Sequence, residues 1–140
     1  MPLHKAVISA TGVYTPELSI SNAELVEAFN AWASAENARN APRIESGEME
    51  AIGLSSEEFI VKASGIERRY VLNKSGVLDP KVMHPVLPER GDDEISVMAE
   101  MAVSAANEAL GKAGKSAADI DGVICAASNH ERAYPAIAIE

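Results

Sequence analysis

Cysteine, positive charge, paired histidines and long apolar runs are all scarce in this 140-residue chain, and each scarcity removes a class of protein. With Cys125 as its one cysteine, the chain can close no internal disulfide. The N-terminus MPLHKAVISATG has no secretory leader pattern, which makes a reducing cytoplasm the expected compartment. Twelve basic residues against 21 acidic ones give a net charge of −9, which repels phosphate backbones and anionic membrane surfaces. Nucleic acid is therefore not an expected partner. No apolar run approaches the roughly 20 residues that cross a bilayer. His4, His84 and His130 stand far apart and no Cys or His pair has ligand spacing, so no metal site is expected. Gly-rich phosphate loops of the Walker or dinucleotide type are missing as well. What is present is the composition of a globular domain, 47% hydrophobic and 24% charged.

Residues 5–11, KAVISAT, are short, apolar and β-branched and stop at Gly12, so they predict a buried strand. Ser21-Asn22-Ala23-Glu24 has capping-box spacing and predicts a helix start, behind which Leu25, Ala28, Phe29 and Trp32 form one apolar stripe expected to face a core. From residue 33 to 53 the text predicts fraying helix, a break at Pro42 and another short amphipathic piece, read as a surface insertion. SSEEFIVK, 55–62, predicts a short helix with a serine cap and acids in its first turn, ending at Gly65. IERRYVL has strand character, and the Pro-rich, Gly-containing segment 72–92 reads as a second insertion of the lid, binding-loop or covering-arm kind. Between Glu94 and Ala113, Ile95, Met98, Ala99, Ala102, Ala106, Ala109, Leu110 and Ala113 fill one face, with Gly114 at the C-cap position. The many alanines imply close helix packing. IDGVICAAS, 120–128, is a continuous apolar run, the pattern of a strand covered on both faces. The fold class is α/β, and PAIAIE reads as the first turn of a further helix.

Candidate chemistry is sparse. Cys125 sits inside the apolar run 120–128, without the cation, histidine or helix start that lowers a thiol pKa, and is read as packing. His130 lies in the loop after that strand, near where chemistry gathers in open α/β sheets, but reads first as a solvated loop residue. Arg68 and Arg69 either offer guanidinium forks to an anionic ligand or form a charged edge strand partnered by local acids. The carboxylates of Asp92 to Glu94 are expected to cap the long helix.

Taken in order, ISATGVYTPE, SNAEL, EEFIVKASGIERRY, MAVSAANEALGKAG, DIDGVICAAS and AYPAIA resemble the N-terminal part of the β-ketoacyl-acyl carrier protein synthase III family. The blocks cover most of the chain, with gaps at 33–53 and 72–92. The resemblance implies residues 1–140 as an incomplete, N-terminal portion of a thiolase-like domain, with a mixed sheet and covering helices. It implies an acyltransferase of fatty-acid synthesis initiation that joins an acyl group from acyl-CoA to malonyl-acyl carrier protein with decarboxylation. Coenzyme A enters as a thioester substrate and no cofactor is needed. A cysteine at a helix start, a histidine and an asparagine do this work in the family, and none of the three matches a residue here, Cys125 aligning with a small strand residue. The chain alone is expected to be inactive, and the complete protein to be a homodimer.

For the donor, the family's aromatic and arginine that sandwich the adenine of coenzyme A fall at Phe59 and Ala63. A phenyl ring can stack on a base, whereas alanine supplies neither charge nor plane. Lys62 is adjacent but one residue round the helix, about 100° away, and the contact is redistributed to Arg68, Arg69 or an insertion. Tyr134, before Pro135, falls where the family has an aromatic reaching across the dimer interface into the partner's acyl pocket; holding a turn is the other reading. The acidic carrier protein is expected to dock on basic residues elsewhere, since a chain at −9 repels it. Two further readings stay open: another thiolase-fold thioester enzyme, such as a hydroxymethylglutaryl-type synthase, and a non-catalytic pairing subunit.

Overall fold

The structure is a computed structural model and describes residues 6–140. His4 and Lys5, the latter the first residue of the expected strand 5–11, lie outside the described residues. The chain divides into two compact units, one of Pro16–Pro88 and one of residues 6–15 with Glu89–Glu140.

In the first unit, β1 (Leu18–Ser21) runs straight into α1 (Asn22–Arg39). The junction is Ser21, whose extended backbone puts its hydroxyl over the helix start. Its Oγ accepts from the Glu24 N–H at 3.2 Å, and the Glu24 carboxylate accepts from the Ser21 N–H at 2.9 Å, the expected reciprocal cap. Lys74 donates to the other oxygen of Glu24 at 2.8 Å. That ammonium, with the Ser21 donors, holds the Glu24 carboxyl at about 2. The helix does not fray at residue 33 but runs to Arg39, and Pro42 stands in the first turn of α2 (Ala41–Glu45), where its missing N–H is harmless. α3 (Glu57–Ser64) has Ser56 as its cap, Glu57 and Glu58 in its first turn and a left-handed Gly65 at its end. β2 (Arg68–Val71) pairs antiparallel with β1, Ile20 opposite Arg69 and Ser21 opposite Arg68. Ile20, Ala28 and Ala33 are the buried apolar residues here. The expected stripe divides: Ala28 is buried, whereas Leu25 and Phe29 wall a cavity.

The second unit is built on α4 (Val97–Ala113), which ends at a left-handed Gly114 as expected. Its start corrects the reading of Asp92 to Glu94 as the cap. Ser96 is the cap, accepting from the Ala99 N–H at 3.1 Å, while Glu94 turns back to the Gly91 N–H. Two distant carboxylates occupy the other free donors, Glu131 at the Val97 N–H and Glu140 at the Ser96 N–H. The first helical turn carries partial positive charge, and carboxylates reaching it through space stabilise it as well as one next in sequence. Gly12 lies directly on the helix: a Cβ there would sit 2.0 Å from the Ala105 carbonyl oxygen. Beside it the Val13 N–H donates to the Glu108 carboxylate at 2.6 Å. Close packing thus engages α4 at Ala105, Ala109 and the buried Ala99, whereas Ala102 and Ala106 of the expected face are exposed.

Two expected strands are corrected. Among the described residues the sheet has two strands and is antiparallel; neither 6–11 nor 120–128 joins a ladder, so the mixed sheet is not formed by them. Val7, Ile8 and Val123 are exposed and Ile124 is 99% exposed. An apolar run of this kind becomes a strand only when neighbours pair its N–H and C=O groups and layers cover both faces. No such neighbours lie beside these segments among the described residues. PAIAIE forms a single turn, in which the Ile139 and Glu140 N–H groups both donate to the Ala136 C=O.

Candidate functional site

The first unit contains a cavity of about 520 Å³. α1 supplies Leu25, Val26 and Phe29 to its wall, α3 supplies Phe59 and Ile60, and β2 supplies Arg69. Gly53, Leu54, Ser55 and Met83 complete it from the two irregular segments. Phe59 is placed by the Ser56 cap, to whose Oγ its N–H donates at 3.1 Å; it lines the cavity and is 65% exposed. Arg69 is the only charged residue in the lining.

A chain of asparagines organises the wall. Asn22 is 3% exposed; its Nδ2 donates to the Ile66 carbonyl and its Oδ1 accepts from Arg69 Nη1, each at 2.8 Å, fixing the guanidinium against the base of α1. Asn30 pairs both ways with the backbone of Ser55, at 3.0 and 2.8 Å, and Asn37 does the same with Ile52, at 2.9 and 2.8 Å. Two helix side chains thereby act as an edge strand for the strap 52–55, satisfying backbone groups that no ladder reaches. Neither Asn30 nor Asn37 stands out in the sequence. The available signal was their seven-residue spacing, which returns to one helix face, in a residue type that helices otherwise disfavour.

The expected site residues are dispersed. Phe59 and Arg69 come together in the cavity wall. Arg68 is exposed and Arg69 half-buried, because successive strand residues face opposite ways, so the two do not form one double fork. Lys62 is exposed on α3 and does not line the cavity. Tyr134 belongs to the second unit and is 83% exposed.

Cys125 requires a correction: it is exposed rather than buried packing. The physical reason is the unformed strand around it, which leaves the thiol without covering layers. It lines an open cavity of about 470 Å³ with Asn129, His130, Arg132 and Ile137. Neither Cys125 nor His130 makes a side-chain hydrogen bond among the described residues, so the two share the cavity without a bond between them. No cluster of His, Cys, Asp or Glu that could hold a metal ion occurs among the described residues. No helix among them is long and apolar enough to cross a membrane.

No protein-family model matches the chain. Over 115 residues, 82% of its length, it is 58% identical to a beta-ketodecanoyl-[acyl-carrier-protein] synthase of Pseudomonas aeruginosa. Over 92 residues, 66% of its length, it is 37% identical to a beta-ketoacyl-[acyl-carrier-protein] synthase III of Rhizobium johnstonii. The matched stretches span 33% and 22% of those two proteins. Over most of its length the chain is similar to the N-terminal part of β-ketoacyl-[acyl-carrier-protein] synthases of the synthase III kind.

Proposed function

We propose that this chain is the donor-recognition part of a cytoplasmic, homodimeric condensing acyltransferase with a thiolase-like fold. The complete enzyme joins an acyl-CoA to malonyl-acyl carrier protein at the start of fatty-acid synthesis. The observation that carries the reading is 58% identity over 115 residues to a synthase of this kind. In the reaction a cysteine thiolate attacks the donor thioester and coenzyme A leaves as its thiolate. Malonyl-carrier protein then loses carbon dioxide, and its carbanion takes the acyl group, returning the enzyme thiolate. The relative's name specifies a ten-carbon β-keto product. Two of those carbons come from malonyl after decarboxylation, so the same product here requires an eight-carbon donor.

The reacting cysteine is assigned outside these 140 residues, because Cys125 lies at no helix start and makes no side-chain hydrogen bond among the described residues. Within the chain, Phe59 and Arg69 share the cavity wall and receive the donor, with Lys62 and Arg68 as outer cations toward its phosphates. Tyr134, exposed, is assigned to the partner's acyl pocket in the dimer.

The test is condensation of octanoyl-CoA with malonyl-carrier protein by the complete protein, followed by release of carbon dioxide. Phe59→Ala is expected to raise KM for the donor roughly tenfold while leaving KM for the acceptor unchanged. Equal effects on both substrates, or acylation of Cys125 by the donor, would remove the assignment.

A further inference from the structure

We propose that residues 73–86 form a preassembled lid on the cavity of the first unit, which opens and closes as one piece and is held shut by the ion pair of Lys74 with Glu24. The inference goes beyond the donor-site reading above and holds for whatever ligand the cavity receives.

The segment is bound to itself more firmly than to its surroundings. Its two ends are tied where the Asn73 side-chain amide donates to the Val86 carbonyl at 2.9 Å, while Asn73 Oδ1 accepts from the N–H and the hydroxyl of Ser75, at 2.8 and 2.7 Å. Between the ends, the Leu78 N–H donates to the Lys74 carbonyl at 3.0 Å, and the Val82 and Met83 N–H groups both donate to the Asp79 carbonyl, at 3.0 and 2.9 Å. Gly76 is buried, and the His84 carbonyl and the Val86 side chain leave no room there for a Cβ. A loop with joined ends that packs on itself in this way moves as a unit, because bending it breaks its own bonds.

Its seat on α1 is weak by comparison. Among the described residues one hydrogen bond leaves the segment, from Lys74 Nζ to Glu24 Oε1 at 2.8 Å, and the two side chains are 35% and 38% exposed. A pair so exposed contributes little and is screened by salt. Beside it, Leu78 and Pro80 share an open cleft of about 330 Å³ with Glu27, Ala28 and Ala31 of α1, where a close-packed contact would leave no space larger than a water. Met83 is the residue of the segment that lines the cavity, together with Leu25, Val26 and Phe29 of α1. Its φ is +52°, a left-handed backbone that is costly for a non-glycine residue, and its bond to Asp79 fixes it within the segment. Met83 therefore enters and leaves the cavity wall with the segment as a whole. Open, such a lid admits a ligand; shut, it keeps water from it.

The test reads access to the cavity and needs no ligand. In the full chain carrying Ile60→Cys in the cavity wall, labelling of that thiol by monobromobimane is followed by peptide-resolved mass spectrometry. Lys74→Met should speed it roughly fivefold, and Lys74→Arg should keep the slow rate. Raising sodium chloride from about 50 to about 500 mM should speed it with Lys74 in place and have no effect after Lys74→Met. The amides of Leu78, Val82 and Met83 should keep their exchange protection in Lys74→Met, as a segment moving in one piece requires, and lose it in Gly76→Ala. Lys62→Cys, exposed and outside the cavity, is expected to label at one rate with or without Lys74→Met. Should Ile60→Cys fail to fold, Val26→Cys stands in the same wall and serves instead. The proposal is overturned if Lys74→Met or salt leaves labelling of the wall unchanged, or if Gly76→Ala keeps the protection of the segment. It is equally overturned if labelling rises only with loss of protection at Leu78, Val82 and Met83, which would mean that the segment unravels, or rises as much at Lys62→Cys, which would mean that the whole unit loosens.

Discussion

The unit Pro16–Pro88 and the unit built on α4 start from similar material and reach different degrees of closure. Both contain a helix with a serine cap and an extended segment laid against other structure. In the first, two extended stretches find polar partners close by: β1 pairs with β2, and the strap 52–55 takes its hydrogen bonds from Asn30 and Asn37. In the second, only the short Gly12-Val13 contact with α4 is satisfied in this way, and the apolar runs 6–11 and 120–128 stay uncovered. A segment of about 70 residues can thus hold a cavity wall through side-chain substitutes for a sheet, whereas apolar strands covered on both faces have no such substitute. Each needs a ladder on its edges and a layer on each face.

Removing the substitutes should have the largest effect. Asn30→Ala with Asn37→Ala deletes four hydrogen bonds to backbone groups and is expected to cost about 2–4 kcal/mol. Amide exchange at Ile52 and Ser55 should rise to the rate of an open loop, and unchanged protection there would show that packing, not the asparagines, holds the strap. Gly12→Ala is the corresponding change in the second unit. The new methyl would meet the Ala105 carbonyl, so the segment must lift from α4 at a cost of about 1–3 kcal/mol. Loss of exchange protection at the Val13 amide checks it, and retained protection would mean that the helix yields instead.

Ser21→Ala removes the cap shared by β1 and α1 and should cost about 1 kcal/mol, most of it restored by Ser21→Thr. Helix content on thermal melting is the readout. The smallest effect is titration of the same cap. Because Glu24 is held at about 2 against an ordinary 4.5, its contribution is complete above about pH 4.5 and is lost as pH falls through about 2. The Glu24 carboxyl resonance should show that depressed midpoint, and Lys74→Met should move it upward. A midpoint unchanged by Lys74→Met would assign the depression to Ser21 alone.

The helix starts, and the stops of α3 and α4, were legible to within about three residues because they depend on groups three or four positions apart, whereas α1 runs on past residue 33 to Arg39. Ser21 with Glu24, Ser56 with Phe59, and the left-handed Gly65 and Gly114 carry their partners with them. The exception shows the limit: Asp92 to Glu94 lay next to α4 in sequence, but Glu131 and Glu140 arrive there from more than 30 residues away. Phe59 and Arg69 were legible as site candidates. Their meeting in one cavity was not, since it depends on the β1–β2 register and on asparagines whose targets lie 15 and 25 residues ahead.

By itself the amino-acid sequence determined the helical segments, the α/β class and the kinship to β-ketoacyl-[acyl-carrier-protein] synthases, all of which reside in local pattern and motif order. Tertiary structure alone decided that Arg69 rather than Arg68 faces the cavity, that an asparagine-pinned strap walls it, and that Cys125 stands in solvent. The physical reason is that burial, strand pairing and cavity formation are properties of what lies alongside a segment, and hydrogen bonds and apolar contacts act through space at ranges that sequence spacing does not record.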